Sequence, residues 1–154
     1  MSTEPFDFTL IQQRLREQVP ALRSVQGAAD YAAVASLQDF PVPCAFVVLV
    51  SEESEPNPPG HAMRGQVAKL SQIVVVEFGV VLAVRNYREQ RGAQLADQLK
   101  QMLGAVRHAL LGYVPDVSGG RACQFVKGRI QDYDAATALW VDVYQTQHSI
   151  GSQP

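Results

Sequence analysis

The sequence predicts an α+β fold, a mostly antiparallel β-sheet covered by two α-helices, and three stretches carry that prediction. The first is Ile73 to Arg85, IVVVEFGVVLAVR, in which alternation places Val74, Val76, Phe78, Val80, Leu82 and Val84 on one wholly apolar face. Its β-branched residues favour a strand, because they lose rotamer freedom against a helical turn and pack well on a pleated surface. The second is CAFVVLVS, Cys44 to Ser51, an apolar run bounded by Pro41 and Pro43 and then by charge, as a buried neighbouring strand is. The third is Gly92 to Leu111, where Leu95, Leu99, Met102, Leu103, Val106 and Leu110 recur at helical spacing. Six core-facing side chains on the central strand at ~1.5 to 3 kcal/mol each make it the largest single source of buried apolar surface.

The remaining elements follow in order. Thr9 to Val19 carries Ile11, Leu15 and Val19 as an i, i+4, i+8 stripe and predicts an amphipathic helix, with Thr9 and Gln12 at capping-box spacing, Asp7 as a cap one turn earlier, and Pro20 as the stop. Val25 to Ala35 is alanine-rich and predicts a strand. Residues 52–66, rich in proline, glycine and charge, predict a loop longer than those that usually join paired strands, and loops of that length are functional or disordered. Gly112 stands where a left-handed helix cap belongs, Pro115 follows, and DVSGG predicts a turn. Cys123 to Gln131 and Thr137 to Gln147 predict a closing hairpin, the second strand setting Leu139, Val141 and Val143 on one face and Trp140, Asp142 and Tyr144 on the other.

A chain of 154 residues, 47% hydrophobic, suits one domain spanning residues 1–154. A net charge of -2 gives no electrostatic support for nucleic-acid binding. The opening MSTEPFDFTL lacks the pattern of a signal peptide, and Glu77 and Arg85 interrupt apolar runs too short for a membrane helix, so no membrane partner and a cytosolic site of synthesis are expected. Cys44 and Cys123 lie far apart in predicted strands and are expected as reduced core thiols.

No chemistry-bearing constellation emerges. His61, His108 and His148 have no metal-site spacing and are expected to be solvated. GHAMRGQV has the glycine spacing of a phosphate loop, but Gln66 stands where its lysine must be. Glu77 is a lone carboxylate at mid-strand. These readings imply no catalytic, metal or cofactor site and leave surface for a partner. Residues 1–66 carry 8 acids and 4 bases, residues 67–154 carry 7 acids and 9 bases. Glu52, Glu53 and Glu55 form an acidic cluster, Arg85, Arg88 and Arg91 a basic one, and Arg64 lies in the long loop. Unlike patches on one subunit suit a head-to-tail contact, which closes into a ring if the rotation allows.

The strand ending FGVVLAVRN, the RG opening the next helix, the ALLGYVP closing it, and the GGR and Trp-containing last strand behind resemble the phage tail terminator family. Tyr113 stands where such families place a tryptophan after the helix-closing glycine. The resemblance implies a non-enzymatic virion protein of lambda-type terminator fold that assembles in the host cytoplasm as a hexameric ring on the tail tube. It implies further copies of itself in a homohexamer, the tail tube protein and the head-tail connector protein as partners; the charge pattern makes the seven charged residues from Glu52 to Arg91 named above the candidate subunit or tube interface. A small-molecule-binding or enzymatic α+β domain, using a pocket under the main helix, is the alternative.

Overall fold

The computed structural model describes residues 2–56, 59–85, 92–133 and 137–152, for 92–97 and 133 the backbone alone. In chain order the elements are α1 (Thr9–Gln18), β1 (Ser24–Gly27), α2 (Ala28–Ala33), a 3-10 turn (Leu37–Asp39), β2 (Cys44–Ser54), β3 (Ser71–Arg85), α3 (Gly92–Leu110), β4 (Gln124–Tyr133) and β5 (Thr137–Gly151). The strands form one five-stranded sheet in the order β1-β2-β3-β5-β4. It is mixed: β1 runs parallel to β2, and every other neighbouring pair is antiparallel.

β3 is the central strand, and its predicted apolar face is the core face. Val74, Val76, Phe78, Val80, Leu82 and Val84 are all buried in the larger apolar cluster, beside Ile11, Leu15 and Val19 of the first helical stripe and Leu103, Val106 and Leu110 of α3. Leu95, the first residue of the predicted α3 stripe, has its side chain outside the described residues. Phe8 is the N-cap of α1 and no side chain caps the helix, so neither Thr9 nor Asp7 holds the predicted place; Asp7 stands one residue before the cap, its Oδ1 accepting from the Thr9 amide at 3.0 Å and the Thr9 hydroxyl at 2.6 Å. Gly112 ends α3 at φ 83°, a left-handed conformation that costs glycine nothing.

The predicted strand over Val25 to Ala35 is corrected. Only Ser24–Gly27 is extended; Ala28–Ala33 is helical, and the strong helix propensity of alanine prevails because few of these side chains must reach the core. Tyr31 is one that does: it lies 5.5 Å from Phe46 and 6.1 Å from Phe40, ring centre to ring centre. These aromatics, with Cys44, Val81, Ala83 and Leu139, form a second, smaller core on the opposite face of the sheet at one end. The central strand is therefore covered on both faces toward Arg85 and on one face toward Ser71.

Candidate assembly surface

The pleat of β5 aims Trp140, Asp142, Tyr144, Thr146 and His148 at the helix-covered face, since they stand opposite Leu82, Val80, Phe78, Val76 and Val74. Two polar groups arise there that sequence periodicity did not reveal. The first centres on Asp142, 0% exposed. Its carboxylate accepts from Arg107 of α3 at 2.8 and 2.9 Å, from the Trp140 indole at 2.8 Å and from the Tyr144 hydroxyl at 3.0 Å. Arg107 also lies over the Phe125 ring, 4.6 Å from its centre. The hydrogen bond to Asp142 raises the Arg107 pKa, and burial, followed by the charge of Asp142, raises that of Tyr144. Bidentate pairing with full use of the carboxylate is the arrangement in which a buried ion pair is tolerated, and here it pins α3 to β5. Gly128 makes room for it: a Cβ there would stand 2.5 Å from Asp142 Oδ1.

The second group straps the N-terminal segment across the sheet. Glu52 Oε1 accepts from the Phe6 amide at 2.9 Å and approaches His148 Nε2 at 3.3 Å, while the Phe6 ring meets the imidazole edge-on at 5.6 Å. His148 is 5% exposed, which corrects the expectation of three solvated histidines; His61 and His108 are exposed as expected. A β-bulge explains why Glu52 turns in. Leu49 stands opposite Phe78 and Ser51 opposite Glu77, so Val50 is an extra residue and every side chain beyond it changes face. Glu52 thus joins the helix side and Glu53 the open side.

The predicted site residues are consequently divided. Glu52 and Glu53 lie in β2, which extends to Ser54, and not in the loop. Glu55 follows, its amide bonded to Ile73 O and its carboxylate 3.3 Å from Gln147 Nε2. Arg64 is exposed between β2 and β3, in a connection whose far end is clamped by Ser152: its hydroxyl accepts from the Leu70 amide at 2.7 Å and donates to Ala68 O at 2.7 Å. Arg85 is exposed at the other end of β3, about 30 Å from the strand level of Glu52 at ~3.4 Å per residue. Arg88 and Arg91 lie outside the described residues. Glu52 and Arg85 are thus not neighbours within one subunit.

Both cysteines are buried and free, and burial pushes each thiol up to about 11, as reduced core residues require. Tyr113 is half-buried, with the Arg14 guanidinium 4.8 Å from its ring centre. Among the described residues no cluster of three metal-ligating side chains occurs and no helix is long and apolar enough to cross a membrane.

Comparison with known proteins agrees with this architecture. The family model described as phage tail terminator protein matches residues 1–154, the whole chain. No curated protein sequence matches significantly. Among solved structures, a chain of the virion of a native gene transfer agent particle is similar in fold, with a TM-score of 0.53 at 18% identity over 92% of each chain.

Proposed function

The chain belongs to the phage tail terminator family, a family of structural virion proteins, and from that premise we propose that it caps the tail tube as a ring of six copies. The ring stops tube polymerisation and presents a surface to the head-tail connector protein, and its subunits, one domain each, are made in the host cytoplasm, of prophage or phage origin. The whole-chain family match carries this reading. It is supported by Asp142 and Glu52, whose hydrogen bonds are made within the fold and hold α3 and the N-terminal segment in place. We assign no catalysis and no cofactor to it. Glu53, Glu55, Arg64 and Arg85 remain candidates for contacts with other copies or with the tube, together with Arg88 and Arg91. Glu52, which already holds the Phe6 amide, would act there only indirectly.

One observation favours the alternative, a small-molecule-binding domain: a cavity of about 350 Å³ beside α3, lined by Val84, Arg85, Gln98, Gln101 and Met102 among others. The decisive measurement is mass, over a concentration series and on isolated tails. Six chains of 16.8 kDa make about 101 kDa. Five or seven copies at the tail end sink the six-fold ring; a species that stays monomeric in the presence of tubes and takes up a small ligand sends the function to the alternative.

A further inference from the structure

Two long strand edges of the sheet are left without a backbone partner among the described residues. β1 pairs with β2 only from Cys44 to Val47, and the chain then leaves the sheet at Gly27 for α2, so the edge of β2 is open from Val48 to Ser54. At the other margin β4 is the edge strand, its outer side open from Gln124 to Ile130. Both edges display large apolar side chains: Leu49 is 52% exposed, Phe125 41% and Ile130 47%. Exposed apolar edges are templates for another strand.

The two edges match in pleat and in charge. On β2, Leu49 lies on the helix-covered side, opposite Phe78, and Glu53 on the open side, opposite Val75. On β4, Phe125 and Ile130 lie on the helix-covered side, opposite Tyr144 and Trp140, and Lys127 and Arg129 on the open side, opposite Val143 and Val141. A sheet continued from one copy into the next keeps its faces, so apolar would meet apolar and base would meet acid. The strand directions also match, because β2 runs with β5 and therefore against β4.

We infer that copies of this chain join head to tail by antiparallel pairing of β4 with the free edge of β2 of the next copy, Ile130 opposite Leu49 and Lys127 opposite Glu53. This inference rests on the ring reading above and supplies its joint. The register is set by the bulges: from Ile130 opposite Leu49, the extra residue Val50 brings Arg129 to Ser51 and Gly128 to Glu52, and Lys127 then meets Glu53. The paired span from Lys127 to Ile130 stays clear of the part of β2 that β1 occupies; of the rest of β4 only Tyr133, which would come level with Val47 opposite Gly27, has to turn aside. Closure is consistent as well. Following the pairings from Ala45 through Leu82, Trp140 and Ile130 leads to Leu49 of the next copy, four residues further along β2 after crossing four strands. A shear of one residue per strand is that of the eight-stranded barrel with shear 8, whose strands tilt by about 36°, inside the range of closed barrels.

The test uses the full chain. Directly opposed residues of an antiparallel pair lie within disulfide reach, and the native thiols are buried. Leu49→Cys combined with Ile130→Cys, oxidised after assembly, is expected to give a denaturation-resistant ladder ending at the ring. Each single variant gives no cross-link, and a mixture of the two singles gives dimers only. Separately, Glu53→Lys or Lys127→Glu alone should raise the concentration needed for assembly by roughly tenfold at low salt, and the two together should restore it. Single variants that cross-link with themselves would reveal a two-fold contact and overturn the inference. Wild-type rings without a ladder in the double variant and without rescue by the charge exchange overturn it and leave the ring reading standing, whereas a wild type that never closes into rings on tubes overturns both.

Discussion

On its helix-covered face the sheet carries an aspartate, a threonine, a tyrosine and a histidine, all buried, whereas on its other face it carries Glu53, Lys127 and Arg129, all exposed. The difference lies in what stands above each face. α1, α3 and the residues before α1 seal the first, so polar groups there look for partners within the chain: Asp142 takes four donated bonds, the Thr146 hydroxyl donates to Arg121 O at 2.6 Å, and His148 Nε2, which makes no hydrogen bond among the described residues, has Glu52 Oε1 3.3 Å away. The second is sealed only near Tyr31 and Phe40, and toward Ser71 its side chains are left to water or to a partner. Buried polarity on the first face therefore serves the fold, and the exposed polarity of Glu53, Lys127 and Arg129 on the other is available for assembly. Substitutions on the two faces should separate accordingly, in stability on one side and in association on the other.

The largest effects belong to the sealed face. Phe78→Ala should lower stability by ~3 to 5 kcal/mol through lost transfer energy and a residual cavity, since the ring is fully buried and stacks on Tyr144 at 5.6 Å. Arg107→Ala should cost a comparable ~3 to 5 kcal/mol, because it leaves the buried Asp142 carboxylate without its charged partner. Both are read by denaturant unfolding. A Phe78→Ala protein that melts within a degree or two of wild type would contradict the register of β3, and an Arg107→Ala protein of full stability would show that Trp140 and Tyr144 alone satisfy Asp142.

That asymmetry between faces was only half legible in the sequence. The register of β3 could be read because six apolar residues alternate without a break, and a slip by one would expose all of them. The stripes of α1 and α3 and the cap at Gly112 were legible for the same local reason. In β5, by contrast, Leu139, Val141 and Val143 look like the core face, yet the strand turns Trp140, Asp142 and Tyr144 toward α3; the decisive fact is Arg107, thirty-five positions away in the chain. Pairing over that distance leaves no periodic trace. Val50 is the other example, since a bulge is invisible in composition but decides which of two adjacent glutamates turns inward. The helix at Ala28–Ala33 leaves no trace in the sequence because alanine fits either pattern, and only the packing of Tyr31 on Phe40 and Phe46 distinguishes them.

The adjacent glutamates sharpen the comparison at an intermediate scale. Glu52→Ala removes the acceptor of the Phe6 amide and the charge beside His148, and should destabilise by ~1 to 2 kcal/mol, the range for a charge-assisted bond. Glu53→Ala, one residue along and on the open face, should change stability by less than about 0.5 kcal/mol, as exposed substitutions do, and should act on assembly. Thermal melting of the two single variants side by side is the check. Equal effects on stability would mean that the bulge at Val50 does not divide them.

The smallest effect on stability is expected in the connection between β2 and β3, where described residues 59–67 are all exposed. The Glu55 amide bonds Ile73 O, and Ser152 holds Ala68 and Leu70, so the two ends of this connection are part of the fold. Between them Met63 and Val67 are exposed, and the segment offers too little buried surface to offset the entropy of its own ordering. Replacing residues 56–66 by a short Gly/Ser linker should leave the melting temperature nearly unchanged, because halving a loop alters its closure entropy by only about 0.6 kcal/mol. If the segment gains its order from a neighbouring copy or from the tube, the same replacement should impair tube capping, measured as tail length and infectious yield when the variant complements a terminator-deficient phage. A fall in melting temperature of many degrees would place the segment with the sealed face; full complementation at unchanged stability would remove it from the assembly surface and leave the strand edges to do that work alone.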